Sequence, residues 1–295
     1  MAIVTREMLN ALYERYKNID VTYTRDIITV TGMVPQQVYL KCEGDFWPCV
    51  VYSSSFQSAK VVVNITTGFL DKLQRTNNMV SLRFCFKNPD SGTVTFFIAA
   101  RSMGYAPYGE SKEMAIFTFQ FTQRPSDDLI EIMGKLLDAN VNSTKRKDER
   151  IVFTPETLRK VKIHSKETAV YIEKVPRRCI MRDISFSGSK IILMGIVKFL
   201  VGRTATLQVD FIDPQERFLL NGTFIRGENV EGRTDLVALA IDFTESMIPM
   251  GYKLRLNEYV GQLRVDRDQA PVDSGKEDAP KQEDPDIPPE DPEDE

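Results

Sequence analysis

A chain of 295 residues, 42% of them hydrophobic, is long enough for two globular cores of ordinary composition. Its net charge of −4 divides unevenly: residues 271–295 hold 11 acids and 2 lysines (net −9), leaving 36 basic and 31 acidic residues in 1–270 (net +5). One histidine, His164, excludes metal sites that need two imidazoles, and no apolar run approaches the ~20 residues of a membrane-spanning helix.

In chain order, the first expected element is a helix from Thr5 to Lys17. Thr5 serves as its N-cap, and Met8, Leu9, Leu12, Tyr13 and Tyr16 share one face. Short strands follow. Leu82, Phe84 and Phe86 alternate with Arg83 and Cys85, residues 93–99 are rich in β-branched and aromatic types, and Phe117, Phe119 and Phe121 alternate with Thr118, Gln120 and Thr122. This period of two predicts an antiparallel sheet or barrel, with a helical insertion near 67–75. Phe46 and Trp47 are expected in its core.

Ser126 opens a second helix, with Asp127 and Asp128 in its first turn and an end near Ala139. Residues 140–150, NVNSTKRKDER, contain one apolar side chain, Val141, and are expected to form a polar, solvated connector. Strands then resume. Leu207, Val209 and Phe211 form one apolar set, and Val237, Leu239, Ile241 and Phe243 another. Regular spacing and the Asn221-Gly222 turn signal suggest a second small barrel. A closing helix is expected over 252–264, followed from 266 by a Pro-rich acidic tail with too little apolar surface to order itself. No sequence repeat between the halves is evident.

The predicted architecture is therefore mainly β. Two small antiparallel split barrels are joined by a helix and a polar linker, and a disordered acidic tail ends the chain. The expected boundaries are 1–122, 123–150, 151–265 and 266–295. Cys42, Cys49, Cys85 and Cys179 lack metal-site spacing and read as free thiols. The charged N-terminus has no signal core, so a cytoplasmic protein with no membrane contact is expected.

Two patterns carry chemistry. Arg146-Lys147-Asp148-Glu149-Arg150 is an RxxxR in the connector, and Asp183-Ile184-Ser185-Phe186-Ser187-Gly188 is a DxSxxG between two strands. RxxxR alone is uninformative, DxSxxG is rarer by chance, and order, separation and context give them meaning together. Arg forks suit the O6/N7 edge of guanine and can stack on it, while a carboxylate such as Asp183 accepts from the N1–H and N2–H₂ edge. Ser185 could donate to a phosphate or base edge, and Gly188 would admit a close backbone approach. Arg177, Arg178 and Arg182 are secondary candidates. No nucleophile or acid–base group is assembled, so an enzyme is not expected.

Over about 145–264 the chain resembles the PilZ family of cyclic di-GMP receptors, on Arg146, Arg150, Asp183, Ser185 and Gly188. The N-terminal half resembles the extra barrel, PilZN, of two-barrel members such as the flagellar brake proteins and the PlzA-like receptors of spirochaetes. The resemblance implies a non-enzymatic receptor with cyclic di-GMP as ligand and no other cofactor. It also implies an output such as motility or virulence, exerted through a protein partner. Two other readings remain open: a nucleic-acid-binding β-barrel, and a PilZ-like scaffold that binds only protein.

Overall fold

The computed structural model describes residues 5–88 and 92–269. Two closed six-stranded antiparallel barrels stand in series, each with a two-residue strand appended. The first uses β1 (Val21–Thr22), β2 (Tyr39–Cys42), β3 (Asp45–Ser54), β4 (Ser58–Asn64), β5 (Met79–Asn88), β6 (Gly92–Pro107) and β7 (Met114–Phe121). The order β3-β2-β5-β6-β7-β4 closes through β3–β4, and β1 adds to β3. The second uses β8 (Ile151–Val152), β9 (Glu167–Ile172), β10 (Val175–Ile184), β11 (Gly188–Met194), β12 (Thr204–Ile212), β13 (Gln215–Val230) and β14 (Arg233–Phe243). The order β10-β9-β12-β13-β14-β11 closes through β10–β11, and β8 adds to β10.

Alternation fills both barrels. Phe117 and Phe119 are fully buried in β7, while Leu239 and Ile241 are buried in β14. Closure leaves the ring no unpaired edge, so every inward position can be apolar. Trp47 lies in the first core, whereas Phe46, expected there, is 55% exposed and packs edge-on against Tyr39 on the outside. The strand's alternation decides this, because neighbouring residues must face opposite ways. All four cysteines are buried free thiols, and burial pushes Cys49 and Cys179 up to about 12.

Helices accompany the barrels: α1 (Arg6–Tyr16), α2 (Arg25–Thr31), α3 (Phe69–Arg75), α4 (Asp127–Lys145), α5 (Pro155–Val161), α6 (Val197–Leu200) and α7 (Met250–Gln269). Thr5 caps α1 by accepting from the Met8 N–H. α4 packs against both α1 and α7.

Two expectations about helix ends need correction. α4 does not stop near Ala139 but runs six residues further, to Lys145, into the expected connector. Asn142 and Ser143 are buried there although polar. The Asn142 amide donates to Asp138 (2.9 Å) and Asn257 (2.7 Å), and Ser143 Oγ donates to the Asn140 carbonyl (2.7 Å). Buried polar groups with partners cost little, so composition alone misreads them as solvated. α7 likewise continues to Gln269, past the expected tail start at 266. The first proline after it is Pro271, so nothing earlier removes a helical N–H. The rest of the acidic tail lies outside the described residues.

Candidate ligand-binding site

The DxSxxG segment is the tight connection from β10 to β11. Ser185 N–H donates to the Gly188 carbonyl (2.8 Å), and the Gly188 N–H donates to Ser185 Oγ (3.1 Å). Ser185 is 1% exposed, so its hydroxyl shapes the turn from inside instead of facing a phosphate or base as expected. Gly188 admits a close backbone approach, and the backbone that approaches is that of β14. A Cβ there would lie 2.3 Å from the Ile241 carbonyl oxygen, so glycine lets β11 close against β14. Tyr252 of α7, fully buried, holds the turn from behind by donating to the Ser185 carbonyl (2.6 Å).

The arginine segment comes to this turn. Arg146 is the C-cap of α4, and Arg150 immediately precedes β8, which pairs with β10 at Asp183 and Ile184. That pairing carries Arg150 Nη1 to 2.5 Å from Asp183 Oδ1, across 33 residues of sequence. Asp183 Oδ1 also accepts the Lys190 backbone N–H (3.0 Å). The carboxylate is thereby held on the rim of the barrel, 13% exposed. Arg146 Nη1 pairs with Glu149 Oε2 at 3.0 Å, both partly exposed.

Outward from Asp183, a row crosses four strands. Asp183 pairs with Lys190 on β11, Lys190 with Ala240 on β14, and Ala240 with Arg226 on β13. Cross-strand partners share a face. The small Ala240 side chain therefore floors a strip with cations on both sides of it. Lys190 and Arg226 were not singled out from sequence; the register that joins them was not readable. Of the secondary candidates, Arg182 is exposed beside Asp183. Arg178 and Arg177 lie further along β10, lining separate outer surfaces with Ile192 and with Phe199 respectively. Among the described residues no acidic, Cys or His cluster could hold a metal.

This geometry brings together two motifs that the sequence keeps apart. Residues 7–140 match the PilZN3 domain model. A protein of Treponema denticola described as a cyclic di-GMP binding protein is 44% identical over 266 residues, spanning 90% of this chain and 85% of its own. This chain belongs to the two-barrel PilZ family. Solved structures to which the chain shows similarity include Borreliella burgdorferi PlzA in complex with c-di-GMP. It is 18% identical at TM-score 0.40, covering 87% of this chain and 99% of that one. Escherichia coli YcgR in complex with c-di-GMP is 12% identical at TM-score 0.28, covering 83% and 89%. Among the described residues of this two-barrel PilZ protein, no helix is long and apolar enough to cross a membrane.

Proposed function

We propose that this PilZ protein is a receptor for cyclic di-GMP that signals through a protein partner and does no catalysis. The observation that carries the reading is the meeting of Arg150, four residues after Arg146, with Asp183 at the end of a strip flanked by cations. The Treponema relative supports the choice of ligand. Arg146 and Arg150 would engage guanine edges or faces, Asp183 a guanine N–H edge, and the Ser185–Gly188 turn would fix their spacing. The division into a first barrel unit (1–122), a connecting segment (123–150) and a second barrel unit (151–265) belongs to the same proposal, as does a cytoplasmic location.

Signalling would run through α4. Its C-cap is Arg146, and its Asp138 carboxylate accepts from Tyr16 of α1 (2.7 Å), Asn142 (2.9 Å) and Asn257 of α7 (2.9 Å). A ligand that reorients residues 146–150 would act at the end of the helix that touches both other long helices. The segment free to switch is then shorter than 140–150, because 140–145 are helical.

Isothermal titration with cyclic di-GMP tests the reading. Arg146→Ala and Arg150→Ala should each weaken binding by about 1–3 kcal/mol with unchanged far-UV circular dichroism. Unchanged affinity in both would overturn the site. Paired spin labels on the two barrels should report a changed distance on ligand addition. An unmoved distance would overturn the switch and leave the binding site standing.

A further inference from the structure

Ser187 occupies one of the three variable positions of DxSxxG, where the pattern asks for nothing. In the structure it is 7% exposed, and its Oγ lies 2.8 Å from the Lys147 carbonyl, in the middle of the arginine segment. The Asp148 carboxylate is next nearest at 3.4 Å, and Ser185 Oγ lies at 3.5 Å. A hydroxyl has one hydrogen, and the shortest contact, to the carbonyl, takes it. Ser187 is itself fixed, since its carbonyl accepts the Phe243 N–H (2.7 Å) from the end of β14. The bond therefore runs from a rigid part of the barrel to the centre of a short, exposed segment. Arg146 lies one residue before the tethered carbonyl and Arg150 three after it.

We propose that Ser187 is a positioning residue that latches the arginine segment onto the turn before any ligand arrives. The inference rests on the receptor reading for its consequence but not for its geometry. Two cationic side chains on a loose segment would have to be ordered by the ligand, at a cost in conformational entropy. Tethering the backbone between them removes part of that cost and leaves both guanidinium groups free to change partners. Barrel one has Gln57 at the matching position, before Ser58 and opposite the end of β7. The latch thus belongs to the barrel that carries the arginines.

The test uses the full chain and three proteins: wild type, Ser187→Ala and Ser187→Thr, the last keeping a hydroxyl. Hydrogen exchange is read at the Glu149 N–H, which is bonded to the Arg146 carbonyl (3.0 Å) within the tethered segment. Cyclic di-GMP binding is read by titration and stopped flow. Ser187→Ala should speed that exchange and weaken binding about tenfold, the scale of one lost hydrogen bond, chiefly through a slower association rate. Ser187→Thr should restore both. Unchanged exchange in Ser187→Ala overturns the latch. So does weaker binding without faster exchange, which would make Ser187 a ligand contact. Faster exchange in a protein whose wild type binds no cyclic di-GMP leaves the latch standing and removes the receptor reading instead.

Discussion

The two barrels are the same device built twice, and only one carries the proposed site. Adding 130 to a residue number in 21–64 gives its counterpart in 151–194. Val21 and Thr22 pair with Ser54 and Ser53, as Ile151 and Val152 pair with Ile184 and Asp183. The bulge between Val51 and Ser53 recurs between Met181 and Asp183. Glu43-Gly44 and Glu173-Lys174 form matching two-residue turns, all four at positive φ. Further on the offset is 122: the Ser102/Gly104 bulge becomes Phe224/Arg226. The row Asp183, Lys190, Ala240, Arg226 then corresponds to Ser53, Lys60, Thr118, Gly104. Barrel one keeps the lysine and lacks the carboxylate and the second cation. Its turn survives intact, with Ser55 Oγ accepting the Ser58 N–H at 3.1 Å just as Ser185 accepts that of Gly188. Ser185 is thus a residue of the fold, and on the proposed reading Asp183 with the arginines is what binding adds.

The largest expected difference between the copies lies at the end of this turn. Ser58 carries a side chain where Gly188 has none, so β4 and β7 in barrel one accommodate a Cβ that β11 and β14 do not. Gly188→Ala should destabilise barrel two by about 3 kcal/mol, because the obstructing atom is a backbone oxygen that cannot step aside. Ser58→Ala should cost about 1 kcal/mol or less, from the lost hydroxyl contact to Ser55 alone. Denaturant unfolding with separate probes in the two barrels measures both. Equal losses would mean that the two turns close in the same way.

A second expectation treats the copies alike. Cys49 and Cys179 are counterparts, and burial raises both thiols from 9.0 to about 12. Above pH 9 the unfolded chain loses these protons while the folded barrels keep theirs. Stability is therefore full below pH 9, falls from there, and stops falling on this account above about pH 12. By pH 11 each thiol should have removed on the order of 2 kcal/mol. Melting temperatures of Cys49→Ala and Cys179→Ala should depend less on pH across this window than the wild type. A flat wild-type profile from pH 9 to 11 would rule the idea out.

How much of this was legible beforehand follows from what strands and motifs encode. Alternating Phe117, Phe119 and Phe121 announced a strand because one face of it is core. The duplication was invisible because only six of the 44 positions in 21–64 repeat, namely Thr24, Glu43, Cys49, Ser55, Phe56 and Lys60. A barrel asks for apolar alternation and leaves the identity of each residue loose. The motif pair was readable, but the work of its members was not. Ser185 and Gly188 turned out to shape the backbone, and Ser187, Lys190 and Arg226 join the site only through pairings that sequence does not display. α4 was cut short because Asn142 reads as solvent-facing until Asp138 and Asn257 are placed beside it.

The smallest expected effect concerns the residue at the head of each segment. Tyr16 and Arg146 both stand five positions before their barrel's first strand residue, Val21 and Ile151. Tyr16 is 2% exposed and donates to Asp138 on α4; burial and that carboxylate hold its pKa above the usual tyrosine value. It is locked into the helix packing. Arg146 is instead paired with Glu149, three residues away and partly exposed. A pair of that kind is worth about 0.2–1 kcal/mol, enough to hold the guanidinium and too little to keep it from a better partner. On the proposed reading, cyclic di-GMP must displace Glu149 to engage Arg146. Glu149→Gln should then raise affinity about two- to threefold by removing a charged competitor. The gain should shrink toward zero near 1 M salt, where charges are screened beyond ~3 Å and the wild-type pair has little left to lose. Titrations at low and high salt decide it. An affinity that falls in Glu149→Gln would show that the carboxylate orients Arg146 for the ligand, and the first position of each segment would then be fixed in both barrels rather than in one.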